Sequence, residues 1–332
     1  MLKEGPVLTL RSLYCPFGLA LLAFTGAVPA RADDPNAKPR TGALTAEQGH
    51  DPKVALTFDD LPSHGPVPAG RTRIEFMRDI VGALREAHAP SVYGLVNAKG
   101  LEGQPENMEI LKLWRKAGFL LGNHTLSHMD LNTHTAAEFE QDLLADEPTL
   151  RDTMADADWH WFRYPYLHMG DTIDKRHAAA AMLRRHGYRT AQVTINFDDW
   201  AYHAPYARCA GRGDQATIAW LKETYLAQAG AAIDTAQKVA QLAYGREIKH
   251  VMLLHAGGFN AVMLPSLLAL LKERGFQLVT LEEAESDPAY AAEPDAVMPS
   301  GATLLDEILA VKHIPPPPQT ESPFAKLEGI CR

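Results

Sequence analysis

Five short stretches of this chain bring together side chains able to do acid–base or metal chemistry. The first, Thr57-Phe58-Asp59-Asp60, sets two carboxylates side by side after an apolar run. Adjacent carboxylates repel each other and are costly to bury unless a cation or an arginine stabilises them. Taken alone, acids at a loop start more often cap helices or face water. The second, Gly122-Asn123-His124-Thr125-Leu126-Ser127-His128, spaces two imidazoles at i and i+4. On a helical turn that spacing puts both on one face, within reach of one ion. Two histidines and a carboxylate make a common catalytic metal set that leaves positions open for water. Zinc is the first expectation, and cobalt or another late first-row divalent ion would also fit. The third stretch, Trp161-Phe162-Arg163-Tyr164-Pro165-Tyr166, sends Arg163 out of an apolar run, where it needs an anionic partner such as Asp59. Asn196-Phe197-Asp198-Asp199-Trp200 and Leu253-Leu254-His255 complete the series. A histidine closing a buried strand is more often structural than catalytic; His255 gains weight from four other polar strand ends aimed at what should be one mouth.

Convergence of these stretches requires a scaffold that delivers strand ends to one side. Apolar strand-like runs fall at 53–58, 91–96, 119–122, 160–163, 189–195, 250–254 and 276–280. Helix-like segments fall between them at 71–88, 107–117, 135–154, 172–186, 215–244 and 261–274. Strands alternating with helices predict a parallel sheet with helical crossovers, whose chemistry sits where strands end and loops begin. Seven units instead of eight predict an α/β fold of the distorted (β/α)7 barrel type. That domain spans residues 53–285.

The flanking segments read differently. Lys3 and Arg11 precede an apolar stretch at 13–28, and Ala30-Arg31-Ala32 matches a small-x-small cleavage site. Residues 1–32 are therefore expected to be a cleaved signal peptide and the protein exported, periplasmic or secreted, with no stable membrane span afterwards. Residues 33–52 read as a linker. Residues 286–332 form a C-terminal extension with a weak helix at 303–311 and Pro315–Pro318, expected to wrap the surface without chemistry of its own. A content of 46% hydrophobic and 22% charged residues fits a globular protein. The net charge is -9, and removing residues 1–32, with Lys3, Arg11 and Arg31 against Glu4, takes it to -11. No nucleic-acid partner is expected at that charge. Cleavage would leave Cys209 and Cys331; an oxidising compartment would permit a bond between them, but sequence does not say whether they meet.

In order, Thr57-Phe58-Asp59-Asp60, His124-Thr125-Leu126-Ser127-His128, Arg163-Tyr164-Pro165-Tyr166, Asp199-Trp200 and Leu253-Leu254-His255 resemble the five motifs of the polysaccharide deacetylases, also called NodB-homology or carbohydrate esterase family 4 enzymes. The resemblance implies a distorted barrel and one divalent metal, zinc first, on Asp60, His124 and His128. It implies Asp59 as general base, with Arg163 orienting it and favouring its charged form. The Tyr166 backbone N–H would help stabilise an oxyanion. Asp199 would keep His255 protonated as general acid, and Trp200 and Leu253 would wall the acetyl methyl. The implied activity removes acetyl groups from an acetylated polysaccharide, by N-deacetylation of GlcNAc-type residues. Alternatives are an O-acetyl esterase on xylan or another glycan, and a non-catalytic glycan-binding relative. One departure is Asn196, where many members carry an acid; another is the long segment after Trp200, which could reshape the groove. His64 and His168 are expected beside the groove and outside the metal shell. Trp159, Trp161 and Tyr202 could stack sugar rings or equally belong to the core.

Overall fold

The computed structural model describes residues 51–318 and 321–332; the expected signal peptide, and the linker up to residue 50, lie outside the described residues. Seven strands, β1 (Lys53–His64), β2 (Tyr93–Val96), β3 (Leu120–Asn123), β4 (Trp161–Phe162), β5 (Arg189–Thr190), β6 (His250–Gly257) and β7 (Gln277–Leu278), pair in parallel in the order β5-β4-β3-β2-β1-β6. β7 pairs with the start of β1, where Val54 faces His250 on one edge and Leu278 on the other. The open side between β5 and β6 is bridged once, at Ile195–Met252, with Leu253 N donating to Ile195 O at 3.0 Å. The result is a distorted (β/α) barrel. Every residue of β6 is buried, as expected of a parallel strand covered on both faces.

The crossovers are α1 (Arg73–Glu86), α2 (Pro105–Lys116), α3 (Ala136–Met154), α4 (Ile173–Arg185), α5 (His203–Arg212), α6 (Gln215–Tyr244) and α7 (Gly258–Glu273). Capping boxes, Thr72 with Glu75 and Thr135 with Glu138, fix the starts of α1 and α3 by satisfying free N–H groups. Two expectations change. The strand-like run 189–195 pairs as a ladder only at Arg189 and Thr190, because the chain then leaves β4 to reach β6. The long segment after Trp200, to which the sequence assigned no element, forms α5, stopped by Gly213 in the left-handed region at φ 68°.

Three further helices follow: α8 (Leu281–Glu285), α9 (Leu304–Val311) and α10 (Phe324–Gly329). α9 is docked, with Leu304, Leu305, Ile308 and Leu309 buried, and Arg176 on α4 grips the buried Glu307 with two hydrogen bonds of 2.5 and 2.8 Å. Arg176→Ala strips Glu307 of its partner in a place where burial already pushes its carboxyl up. We expect a loss of about 3 kcal/mol in unfolding free energy, read as a lowered denaturation midpoint; an unchanged midpoint would mean that this pair does not hold the tail. Cys209 on α5 and Cys331 form a disulfide, Cα–Cα 5.2 Å, so the two cysteines do meet.

Candidate active site

The two adjacent carboxylates point the same way, which a regular strand forbids, since successive side chains alternate faces. β1 is irregular here. Its register slips against β2 between Phe58 and Leu61 and against β6 between Asp59 and His64, and Asp60 takes φ 61°. The bulge re-aims Asp60 so that both acids face one cavity of about 580 Å³. β1 therefore does not end at Asp59, as the sequence suggested, but runs on to His64. His64 Nδ1 donates to Asp60 Oδ2 at 2.6 Å, leaving Oδ1 buried without a hydrogen-bond partner. Burial alone would raise the Asp60 carboxyl. The His64 hydrogen bond and the nearby His255, His128 and His124 outweigh it and hold the group far below the usual carboxylate range.

Asp60 Oδ1 lies 3.6 Å from His124 Nε2 and 3.5 Å from His128 Nε2. The i, i+4 spacing does not work through a helix. Thr125 (φ 62°) and His128 (φ 57°) are left-handed, and residues 124–128 form a turn at the end of β3. Asn123 Oδ1 accepts from Thr125 N, and Asp142 accepts from Ser127 N and Oγ, which shapes that turn. The rings end 4.8 Å apart between centroids. His124 Nδ1 must carry its proton, because it faces the Arg163 carbonyl at 2.8 Å, so its Nε2 is the ligating atom. Burial, then the neighbouring His124, pushes the His128 imidazole down to about 4, which keeps its lone pair free at neutral pH.

The set fits a divalent ion. Bonds of roughly 2.1 Å imply ligand separations of about 3.4 Å in a tetrahedron, close to those present, and the orphaned Asp60 Oδ1 is otherwise an unexplained buried acceptor. Asp60, His64 and His255 form a second set of suitable size. There His64 is spent on Asp60 Oδ2, and His255 is held as a cation.

That cation comes from Asp199. His255 pairs in register with Asp59 across β1 and β6. Its Nδ1 meets Asp199 Oδ1 at 2.8 Å, and its backbone N donates to Asp199 Oδ2 at 2.7 Å. Burial alone would lower the imidazole, but the charge and hydrogen bond of Asp199, with Asp60 and Asp59 behind them, push it up to about 9. Arg163, 1% exposed, donates through Nη1 to Asp59 Oδ1 at 2.7 Å and to Thr57 Oγ1 at 2.8 Å. Asp59 Oδ2 stays turned toward the metal set, 3.6 Å from His124 Nε2. Leu253 and the half-exposed Trp200 line the cavity, as do the backbone-strained Tyr166 and His168, whose Nδ1 bonds Asp130 at 2.8 Å.

Residues 46–191 match the polysaccharide deacetylase family model. That span is 146 of the chain's 332 residues, and over it the chain is similar to the polysaccharide deacetylases. The match takes in Asp59, Asp60, His124, His128, Arg163 and Tyr166 and stops short of Asp199 and His255. Among solved structures, the chain is similar to a mutant CE4-family pseudoenzyme with restored enzymatic activity, from Bacillus anthracis (17% identity, 71% of this chain and 69% of that one, TM-score 0.49). It is also similar to a polysaccharide deacetylase from Bacillus cereus (17%, 69% and 91%, 0.49) and to the chitin deacetylase of Colletotrichum lindemuthianum (22%, 70% and 86%, 0.47). No curated protein sequence matches.

Backbone strain marks the same place in the chain. Six of the ten described non-glycine residues at positive φ are Asp60, Thr125, His128, Tyr166, Leu167 and Asp198, all at or beside the cavity. Such conformations cost about 1–3 kcal/mol each and persist where the surroundings over-determine them. Asn196, the departure from the family pattern, builds one of them: its Oδ1 accepts from Asp198 N at 3.0 Å, turning Asp199 inward. Sequence reasoning missed Asn260. Its Nδ2 bonds both Asp199 Oδ2 and the His255 carbonyl, and its Oδ1 accepts from Tyr225 at 2.8 Å. An asparagine in the first turn of α7 carries no motif signal; only the α7–β6 packing gives it a role. Trp159, Trp161 and Tyr202 are core residues and do not line the cavity. The extension does line it, through residues 300–303, 305, 306 and 322–324, so it is more than a surface wrap.

Proposed function

We propose that this chain is an exported, metal-dependent carbohydrate deacetylase that hydrolyses the N-acetyl groups of GlcNAc-type residues. The observation that carries the reading is one cavity holding a three-ligand cation set beside a carboxylate and a cationic imidazole on paired strands. A divalent ion on Asp60, His124 and His128, zinc first, would supply Lewis acidity, lowering the pKa of water and polarising the acetyl carbonyl. Asp59 receives the proton of the attacking water at Oδ2, while Arg163 fixes its other oxygen. His255, gripped at Nδ1 by Asp199, gives its Nε2 proton to the leaving nitrogen; an amine leaves badly unless protonated. The Tyr166 N–H is a donor for the developing oxyanion, an interaction worth roughly 3–4 kcal/mol. Trp200 and Leu253 hold the acetyl methyl and exclude water. The Cys209–Cys331 bond supports an oxidising compartment, in line with export; among the described residues no helix is long and apolar enough to cross a membrane.

The test is acetate release from acetylated chito-oligosaccharides, xylan and peptidoglycan, with added zinc or cobalt and after chelation. Release from the chito-oligosaccharides should vanish with chelator and return with metal, and His128→Ala should lower bound metal by at least tenfold in elemental analysis. Release that is indifferent to chelation, or confined to xylan, would overturn the metal or the N-acetyl assignment respectively.

A further inference from the structure

One wall of the cavity comes from chain that lies beyond the family match and that the mechanism leaves unused. Phe324, half-buried at the start of α10, lines the cavity with its ring 5.7 Å from that of Trp200 and tilted by 40°. Trp200 is 44% exposed, an unusual state for so large an apolar side chain. Phe324 is held there by several independent contacts. The Cys209–Cys331 disulfide ties the end of the segment to α5, and Arg208 donates to the carbonyls of Leu327 at 3.0 Å and Ile330 at 3.1 Å. Lys326 Nζ lies 3.7 Å over the Trp220 ring, and Leu327 is buried. An earlier part of the same extension braces the opposite rim. Gly301, at φ 75°, lies so close to the Tyr166 carbonyl that a Cβ would collide with it, and Asn132 donates to the Pro299 carbonyl at 3.0 Å.

The charge of the lining narrows what this wall can receive. Asp59, Asp60, Asp198 and Asp306 line the cavity together with His255, and Asp198 stands beside the platform itself, its Oδ1 accepting from Trp200 Nε1 at 3.3 Å. A carboxylated sugar stacked on Trp200 meets the Asp198 carboxylate; a neutral pyranose meets aromatic faces that suit its C–H groups.

We propose that residues 299–318 and 321–332 form a substrate-selecting element: Phe324 and Trp200 form an aromatic platform for an uncharged pyranose neighbouring the reacting residue, and Asp198 beside the platform disfavours carboxylated sugars. The proposal rests on the deacetylase reading and names the class of glycan it takes. Truncating Phe324 removes one stacking face, an effect of roughly three- to tenfold in affinity. The disulfide matters because it fixes where Phe324 stands.

The experiment is isothermal titration of the full chain, in an Asp59→Asn background that leaves the ligand intact, with fully N-acetylated chitotriose and with an oligogalacturonate. Phe324→Ala should raise the chitotriose Kd three- to tenfold, Phe324→Tyr should restore it to within about twofold, and the Cys209→Ser, Cys331→Ser pair should weaken binding in the direction of Phe324→Ala. Oligogalacturonate should bind at least tenfold more weakly than chitotriose. A chitotriose Kd unmoved by Phe324→Ala, or oligogalacturonate bound equally well, overturns the platform while acetate release by the unsubstituted chain keeps the deacetylase reading. No binding of chitotriose and no acetate release from any glycan overturns both.

Discussion

Asp59→Asn is expected to cut acetate release by roughly a thousandfold while leaving the bound metal in place. The size follows from general base catalysis, which contributes about 10²–10⁴-fold. The selectivity follows from geometry: Asp60, His124 and His128 are untouched, and an asparagine oxygen can still accept the Arg163 hydrogen bond that Asp59 Oδ1 now takes at 2.7 Å. The buried guanidinium also keeps its bonds to Thr57 Oγ1 and the Ala191 carbonyl, so the fold should hold. Metal analysis and circular dichroism beside the kinetic assay separate loss of a base from loss of the site. Release at anything near the parent rate would remove Asp59 from the base role.

Asp199→Asn should act through His255. In the parent protein His255 is pushed up to about 9, so a general acid is present at neutral pH and disappears as pH rises through that value. kcat/KM should therefore fall on the alkaline side near pH 9. The same raised pKa stabilises the folded state fully below about 6.5, the free imidazole value, and that stabilisation is lost as pH rises toward 9. Without the Asp199 charge, burial is opposed only by the more distant Asp60 and Asp59, and the imidazole should fall below its ordinary range. The alkaline limb should then move down by two units or more, and the rate at pH 7.5 should drop by roughly 10²–10³-fold. An alkaline limb that stays near 9 in the variant would place the acid elsewhere. Asn260, which bonds both Asp199 and the His255 carbonyl, makes the pair rigid and so sharpens this expectation.

The candidate groups were legible in the sequence because they are written in residue types at the ends of apolar runs. Asp59-Asp60, His124 with His128, Arg163, Asp199 and His255 each follow a strand pattern, and a parallel sheet has one end at which such residues must gather. Seven strands, most of the helix spans and the metal set could be read from alternation, spacing and ligand chemistry. Conformation against the local rule could not. A strand pattern puts Asp59 and Asp60 on opposite faces, and an i, i+4 pattern puts His124 and His128 on a helix. The structure reaches the same convergence through a bulge at Asp60 and a left-handed turn at Thr125 and His128. Those backbones are unfavourable alone, so only the packed barrel around them selects them. The same holds for the partners to which the sequence did not point: His64 locking Asp60, Asn260 locking Asp199, and the Cys209–Cys331 tie that brings Phe324 to Trp200. Composition fixes which groups can react, because that is a property of each side chain; which lone pair stays free and which wall closes the cavity depend on contacts that run from four positions apart, His64 with Asp60, to more than a hundred, Phe324 with Trp200, and those exist only in the folded chain.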